Sequence, residues 1–128
     1  MTVRPPKSSS PSPDMPGSAD KLGLEEIVHI SNKVGLDYVE AKKQAEYFEL
    51  MKPSIKARIM LRIDDGEMTE AKLKRLTETD PEYIEFLEKL LDARRDCERL
   101  KVRYESYKNL FDAKRSLLSY QKAEMKLL

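Results

Sequence analysis

The chain has 128 residues, near-balanced formal charge (+1), no Trp and only three Phe. That length allows one ordinary domain, and so few large rings argue against a broad globular core. Bulk charge does not announce a nucleic-acid protein. A single cysteine, Cys97, excludes an intrachain disulfide framework.

Residues 1–20 are rich in Pro and Ser, and nothing apolar repeats. This composition predicts a disordered tail. A short amphipathic helix is predicted over 22–34, capped by Asp20 and carrying Glu25 and Glu26 in its first turn. Gly35 is expected to end it. A second helix is predicted over 36–63, with apolar positions Leu36, Val39, Ala45, Phe48, Ile55, Ile59 and Ile63. Pro53 is expected to kink that helix. Asp64, Asp65 and Gly66 read as a turn, and a short helix follows over 69–78. Thr79, Asp80, Pro81 and Glu82 combine a cap, a first-turn Pro and an acid, which marks a strong helix start.

The last predicted helix, 81–126, carries the clearest pattern. Tyr83, Leu90, Cys97, Tyr104, Phe111, Leu118 and Met125 recur at every seventh position. Phe86, Ala93, Leu100 and Tyr107 follow three residues behind. These are the two apolar tracks of a seam that packs on another helix or another chain. Beside the seam runs a cationic track of Arg94, Lys101, Lys108, Arg115 and Lys122. From Arg94 onward ten bases face five acids, a local excess able to attract phosphates. The expected architecture is all-α: an antiparallel helical hairpin with a long C-terminal amphipathic helix and short accessory helices, which oligomerises.

A second cationic cluster stands at Lys52, Lys56, Arg58 and Arg62, where Arg62 lies four residues beyond Arg58 on one helix face. Aromatic residues are interleaved with the cations. Seam packing is the expected role of Tyr104, Tyr107 and Phe111, whereas Tyr120 falls off the seam and suits stacking. His29 has no companion ligands at metal spacing. No glycine-rich phosphate cradle, nucleophile–base set or paired carboxylates is present, so neither catalysis nor a cofactor is expected. Without an apolar span or a secretory leader pattern, the expected compartment is the cytoplasm, with no membrane partner.

Three segments resemble the UvsY recombination mediators of tailed bacteriophages. One is Leu24-Glu25-Glu26 with the following Leu36-Asp37-Tyr38-Val39-Glu40-Ala41. Another is Ile55-Lys56-Ala57-Arg58-Ile59 ahead of Asp64-Asp65-Gly66. The third is Thr69-Glu70-Ala71-Lys72 with Leu76 and Asp80. The likeness implies a protein of DNA recombination and repair. Such a protein binds single-stranded DNA as a homo-oligomer and loads a RecA-like recombinase onto strands covered by single-strand-binding protein. It implies DNA contact by Lys56 and Arg58, to which the cationic pattern adds Arg62, Lys52 and Lys108. It implies assembly through the last helix at Leu110, Phe111, Leu117 and Leu118, with Tyr104 on the same seam. The competing expectation is a coiled-coil structural or adaptor protein that never touches nucleic acid. A regulator that binds a partner through its Pro/Ser tail is a further alternative.

Overall fold

A computed structural model describes residues 23–127. The described residues are all-helical: α1 spans Leu24–Ile63, α2 spans Glu70–Glu78 and α3 spans Pro81–Leu127. No described helix is long and apolar enough to cross a membrane. The tail predicted over 1–20 lies outside the described residues.

The predicted helices 22–34 and 36–63 are one helix. Gly35 does not end it, and α1 runs on through Pro53 as well. A mid-helix glycine costs about 1 kcal/mol relative to alanine, which a local contact can offset. Here the contact is a close approach: a Cβ built on Gly35 would lie 2.9 Å from Cε1 of Tyr104. The Tyr104 ring fits because glycine is there, and it also stacks on Tyr38 at 6.3 Å. Pro53 is tolerated for another reason. It lacks an N–H, so the carbonyl of Glu49 loses its helical donor, but both residues are exposed and water can serve that carbonyl.

The chain forms two compact units. One comprises residues up to Tyr38 together with residues from Leu100 onward, and the other is Val39–Arg99. The core of the first is Ile27, Val34 and Tyr107, with Ile30, Leu100, Tyr104, Leu110 and Phe111 packed against it. Three predicted oligomerisation residues, Tyr104, Leu110 and Phe111, therefore cover their own chain's core. Burial stops soon afterwards. Every residue from Arg115 to Leu127 is exposed, including Leu117 and Leu118.

The second unit buries Ala45 and Ile59 from α1, Thr77 from α2, and Tyr83, Leu90 and Ala93 from α3. Phe48 meets Phe86 edge-on at 5.9 Å. Its turns follow the chemistry of their sequences. Oδ1 of Asp64 accepts the Gly66 N–H and Oδ1 of Asp65 accepts the Glu67 N–H, each at 2.9 Å. Gly66 takes φ +83, a conformation natural to glycine. Thr69 caps α2, its hydroxyl accepting the Lys72 N–H at 3.2 Å. The buried Thr77 hydroxyl donates to the Leu73 carbonyl at 2.8 Å, which satisfies it inside the core. Asp80 caps α3 by accepting the Glu82 N–H at 2.9 Å.

Candidate functional site

The predicted DNA patch at the end of α1 is half of an ion-pair row. Lys56 Nζ lies 3.7 Å from Glu78, Arg58 lies 2.5 Å from Glu82, and Arg62 lies 2.8 Å from Asp80 and 3.6 Å from Glu82. Lys56 also stands 5.6 Å from the centre of the Tyr83 ring. Lys52 is half-buried and has no carboxylate within ion-pairing distance. Asp80 and Glu82 stand at the start of α3, where the helix dipole favours acids, and Glu78 is the last residue of α2. An exposed pair such as Arg58 with Glu82 contributes little to stability, typically about 0–1 kcal/mol. These pairs matter for binding, because a phosphate arriving at Arg58 or Arg62 must compete with a carboxylate already in place. Across Val39–Arg99, thirteen Lys and Arg are outnumbered by fifteen Asp and Glu.

Asp80 is the hinge of this row. Its carboxylate is largely covered, with 12% of the side chain exposed, and it serves Arg62 and the α3 backbone at once. The hydrogen bond from Arg62 holds the Asp80 carboxyl below the usual range, with the Glu82 N–H acting in the same direction. The same bond raises the Arg62 guanidinium, which stays charged throughout. A carboxylate whose folded pKa is depressed adds stability above its unfolded pKa, and that stability is lost as pH falls through the folded value. Acid titration of the folded chain, followed by circular dichroism, is therefore expected to show a loss of stability below the ordinary Asp range. Asp80→Asn keeps a capping side chain and should flatten that acid limb. An unchanged acid limb in the variant would remove Asp80 from the account.

The cationic track of α3 behaves differently. Arg94, its first member, is held by Glu49. Lys101, Lys108, Arg115 and Lys122 are exposed, and no carboxylate lies within ion-pairing distance of them among the described residues. Lys108 sits 5.4 Å from the centre of the Tyr104 ring, an arrangement that leaves the ammonium open to solvent. Seven-residue spacing on a helix repeats a cation about every 10.5 Å. From Leu100 to Leu127 the helix carries seven bases and three acids. Of the predicted DNA residues, Lys108 alone belongs to this track. Lys56, Arg58 and Arg62 gather around the acids of their own unit instead.

The second unit also holds an open groove of about 310 Å³, lined by Tyr47, Phe48, Met51, Ile55 and Phe86 and rimmed by Arg58, Glu82, Glu85 and Lys89. Rim charges of both signs give it no bias toward an anion. Interleaving of aromatic and cationic residues marked Tyr47 and Phe48 in the sequence, and the seam marked Phe86. Their meeting needed the α1–α3 contact within this unit. Among the described residues no group of three or more His, Cys, Asp or Glu is placed to hold a metal ion. No protein-family model, curated protein or solved structure matches this chain.

Proposed function

We propose that this chain is a non-catalytic recombination mediator. In this reading it is an antiparallel helical hairpin that binds single-stranded DNA as a homo-oligomer and helps load a RecA-like recombinase onto strands covered by single-strand-binding protein. The observation that carries strand binding is the exposed track Lys101, Lys108, Arg115 and Lys122, which has no ion-pair partner among the described residues. Four evenly spaced cations on one helix face suit a phosphate backbone and read no base. Repeated around an assembly, they add avidity without any single tight site, which suits a strand that must later be handed over. The exposed apolar side chains Leu117, Leu118 and Met125 beside that track supply a surface for assembly. Recombinase loading is supported by the UvsY-like segments alone.

A second reading has its own observation. The ion pairs of Lys56 and Arg58 neutralise the cations that the UvsY likeness assigns to DNA, and Arg62 beside them is paired as well, which favours a helical adaptor that binds only proteins. Fluorescence anisotropy of labelled oligo-dT, titrated over a salt series, separates the two. A mediator binds at low salt and loses affinity steeply as salt rises, by release of counterions. A folded protein that leaves anisotropy unchanged even at low salt is the adaptor.

A further inference from the structure

The first unit holds a small cavity of about 180 Å³, lined by Val28, Ser31, Asn32, Lys108, Phe111 and Asp112. Val28, Ser31 and Asn32 are three and four residues apart and share a face of α1. Lys108, Phe111 and Asp112 repeat that spacing on α3. Phe111 also packs against the core of Ile27, Val34 and Tyr107, which holds its ring in place. Ordinary ligand pockets measure about 300–1,000 Å³. This one is smaller and admits a single small ring.

Its lining is chemically divided. Val28 and Phe111 supply apolar surface, and an aromatic ring is a platform on which any base can stack. Ser31 and Asn32 bring a hydroxyl and an amide, which donate and accept hydrogen bonds, whereas the Asp112 carboxylate only accepts. Asp112 is one of three acids among seven bases between Leu100 and Leu127. It stands four residues from Lys108, yet no ion pair joins them. A carboxylate beside a phosphate-binding lysine opposes the phosphate, unless it takes a hydrogen bond from the same ligand. The exocyclic amino group of a base is such a donor, and aspartate accepts from the cytosine amino group in this way. Lys108 belongs both to this cavity and to the cationic track of α3. A base hangs from the same sugar as its phosphate, so a strand seated on Lys108 has a base at hand for the cavity.

We propose that this cavity is a nucleobase subsite: one amino-bearing base of a bound single strand, cytosine being the smallest, stacks on Phe111 with its amino group on Asp112 while its phosphate lies on Lys108. The subsite rests on the strand-binding reading above and adds a contact that phosphates alone do not make. Phe111 then serves twice, covering the core with one part of its ring and the base with another.

Anisotropy titrations with labelled oligo-dC and with an abasic strand of the same length test the subsite, because the two strands share every phosphate and differ only in their bases. Stacking on an aromatic side chain strengthens binding about five-fold or more per base. The full chain is therefore expected to bind oligo-dC at least about five-fold more tightly than the abasic strand. Ser31→Leu fills the cavity and leaves all four cations of the track, so it should bring the two affinities together while salt dependence is kept. Asn32→Leu, at an exposed lining position, should do the same and replaces Ser31→Leu if that variant loses helicity. Thymine carries no amino group, so Asp112→Ala should lower the ratio of oligo-dC to oligo-dT affinity, even as loss of a negative charge strengthens binding of both. An unchanged ratio would overturn the role given to Asp112. Equal affinity of the parent for oligo-dC and the abasic strand, with steep salt dependence, would overturn the subsite and leave the phosphate reading standing. A preference for bases that survives filling of the cavity would put the stacking ring elsewhere and overturn it too. No binding of any strand at low salt would remove the strand-binding reading and the subsite together.

Discussion

Replacing Lys101, Lys108, Arg115 and Lys122 together with Ala is expected to lower the salt dependence of oligo-dT binding sharply. Each phosphate contact to a single strand contributes about 0.7 to the slope of log affinity against log salt. Four contacts per protomer therefore contribute about 3, which between 1 M and 0.1 M salt amounts to a difference of about 600-fold in affinity. The fold should survive. All four side chains are exposed, and alanine is the best helix former. The substitution also removes the contact of Lys108 with Tyr104, about 0.5–1 kcal/mol at an exposed site. Lys56→Ala with Arg58→Ala is the informative comparison. Those cations already face Glu78 and Glu82, so their removal should change the slope by less than about 1. If the double variant loses more affinity than the quadruple one, the UvsY-like assignment of Lys56 and Arg58 is right and the α3 track is not the strand-binding face.

A second large effect is expected in the core of Val39–Arg99. Leu90 is 1% exposed and its neighbour Leu91 is 55% exposed. Leu90→Ala removes buried methyl groups and leaves a cavity, so it should reduce unfolding free energy by about 2–5 kcal/mol. Leu91→Ala makes the same chemical change on the outer face and should stay within about 0.5 kcal/mol of the parent. For a chain of this size each kcal/mol moves the midpoint by about 4 °C, so thermal melts of the two variants should separate clearly. Urea titration should show a lower midpoint for Leu90→Ala at an unchanged slope. Equal melting of the two variants would mean that α3 is not held in this register.

The α3 seam was legible because a heptad pattern depends only on spacing. Tyr83, Leu90, Ala93 and Tyr107 are buried where the pattern puts them. The turn at Asp64-Asp65-Gly66 and the capped start of α3 at Asp80 were legible too, since each is a short-range bond between a side chain and a nearby N–H, while Thr69, read as the first residue of its helix, is the cap before it. Gly35 misled the reading of α1. Local propensity sees only the penalty of glycine in a helix, whereas the compensating contact comes from Tyr104, 69 residues away in sequence. The apolar residues of α1 were read as one set, although Val39 is exposed while Ala45 and Ile59 are buried and Phe48 and Ile55 half-buried.

The candidate site divides along the same line. Charge sign and helical phase are properties of the sequence, and they place Lys101, Lys108, Arg115 and Lys122 on one face of α3. Whether a cation is available depends on which acids reach it. Glu78, Asp80 and Glu82 reach the cations of α1 only because α2 and the start of α3 fold back beside them, while on the α3 track Glu49 reaches Arg94 and, among the described residues, no acid reaches Lys101, Lys108, Arg115 or Lys122. Similarly, an apolar stripe can be read from spacing, but whether it is spent inside the chain cannot: Leu110 and Phe111 are covered while Leu117 and Leu118 are exposed. By itself, then, the sequence determined an all-helical chain, its caps and turns and the phase of each face, because these follow from neighbours a few residues apart. Only the tertiary structure decided which cations are neutralised and which apolar faces stay open, because those depend on side chains brought together from distant parts of the chain.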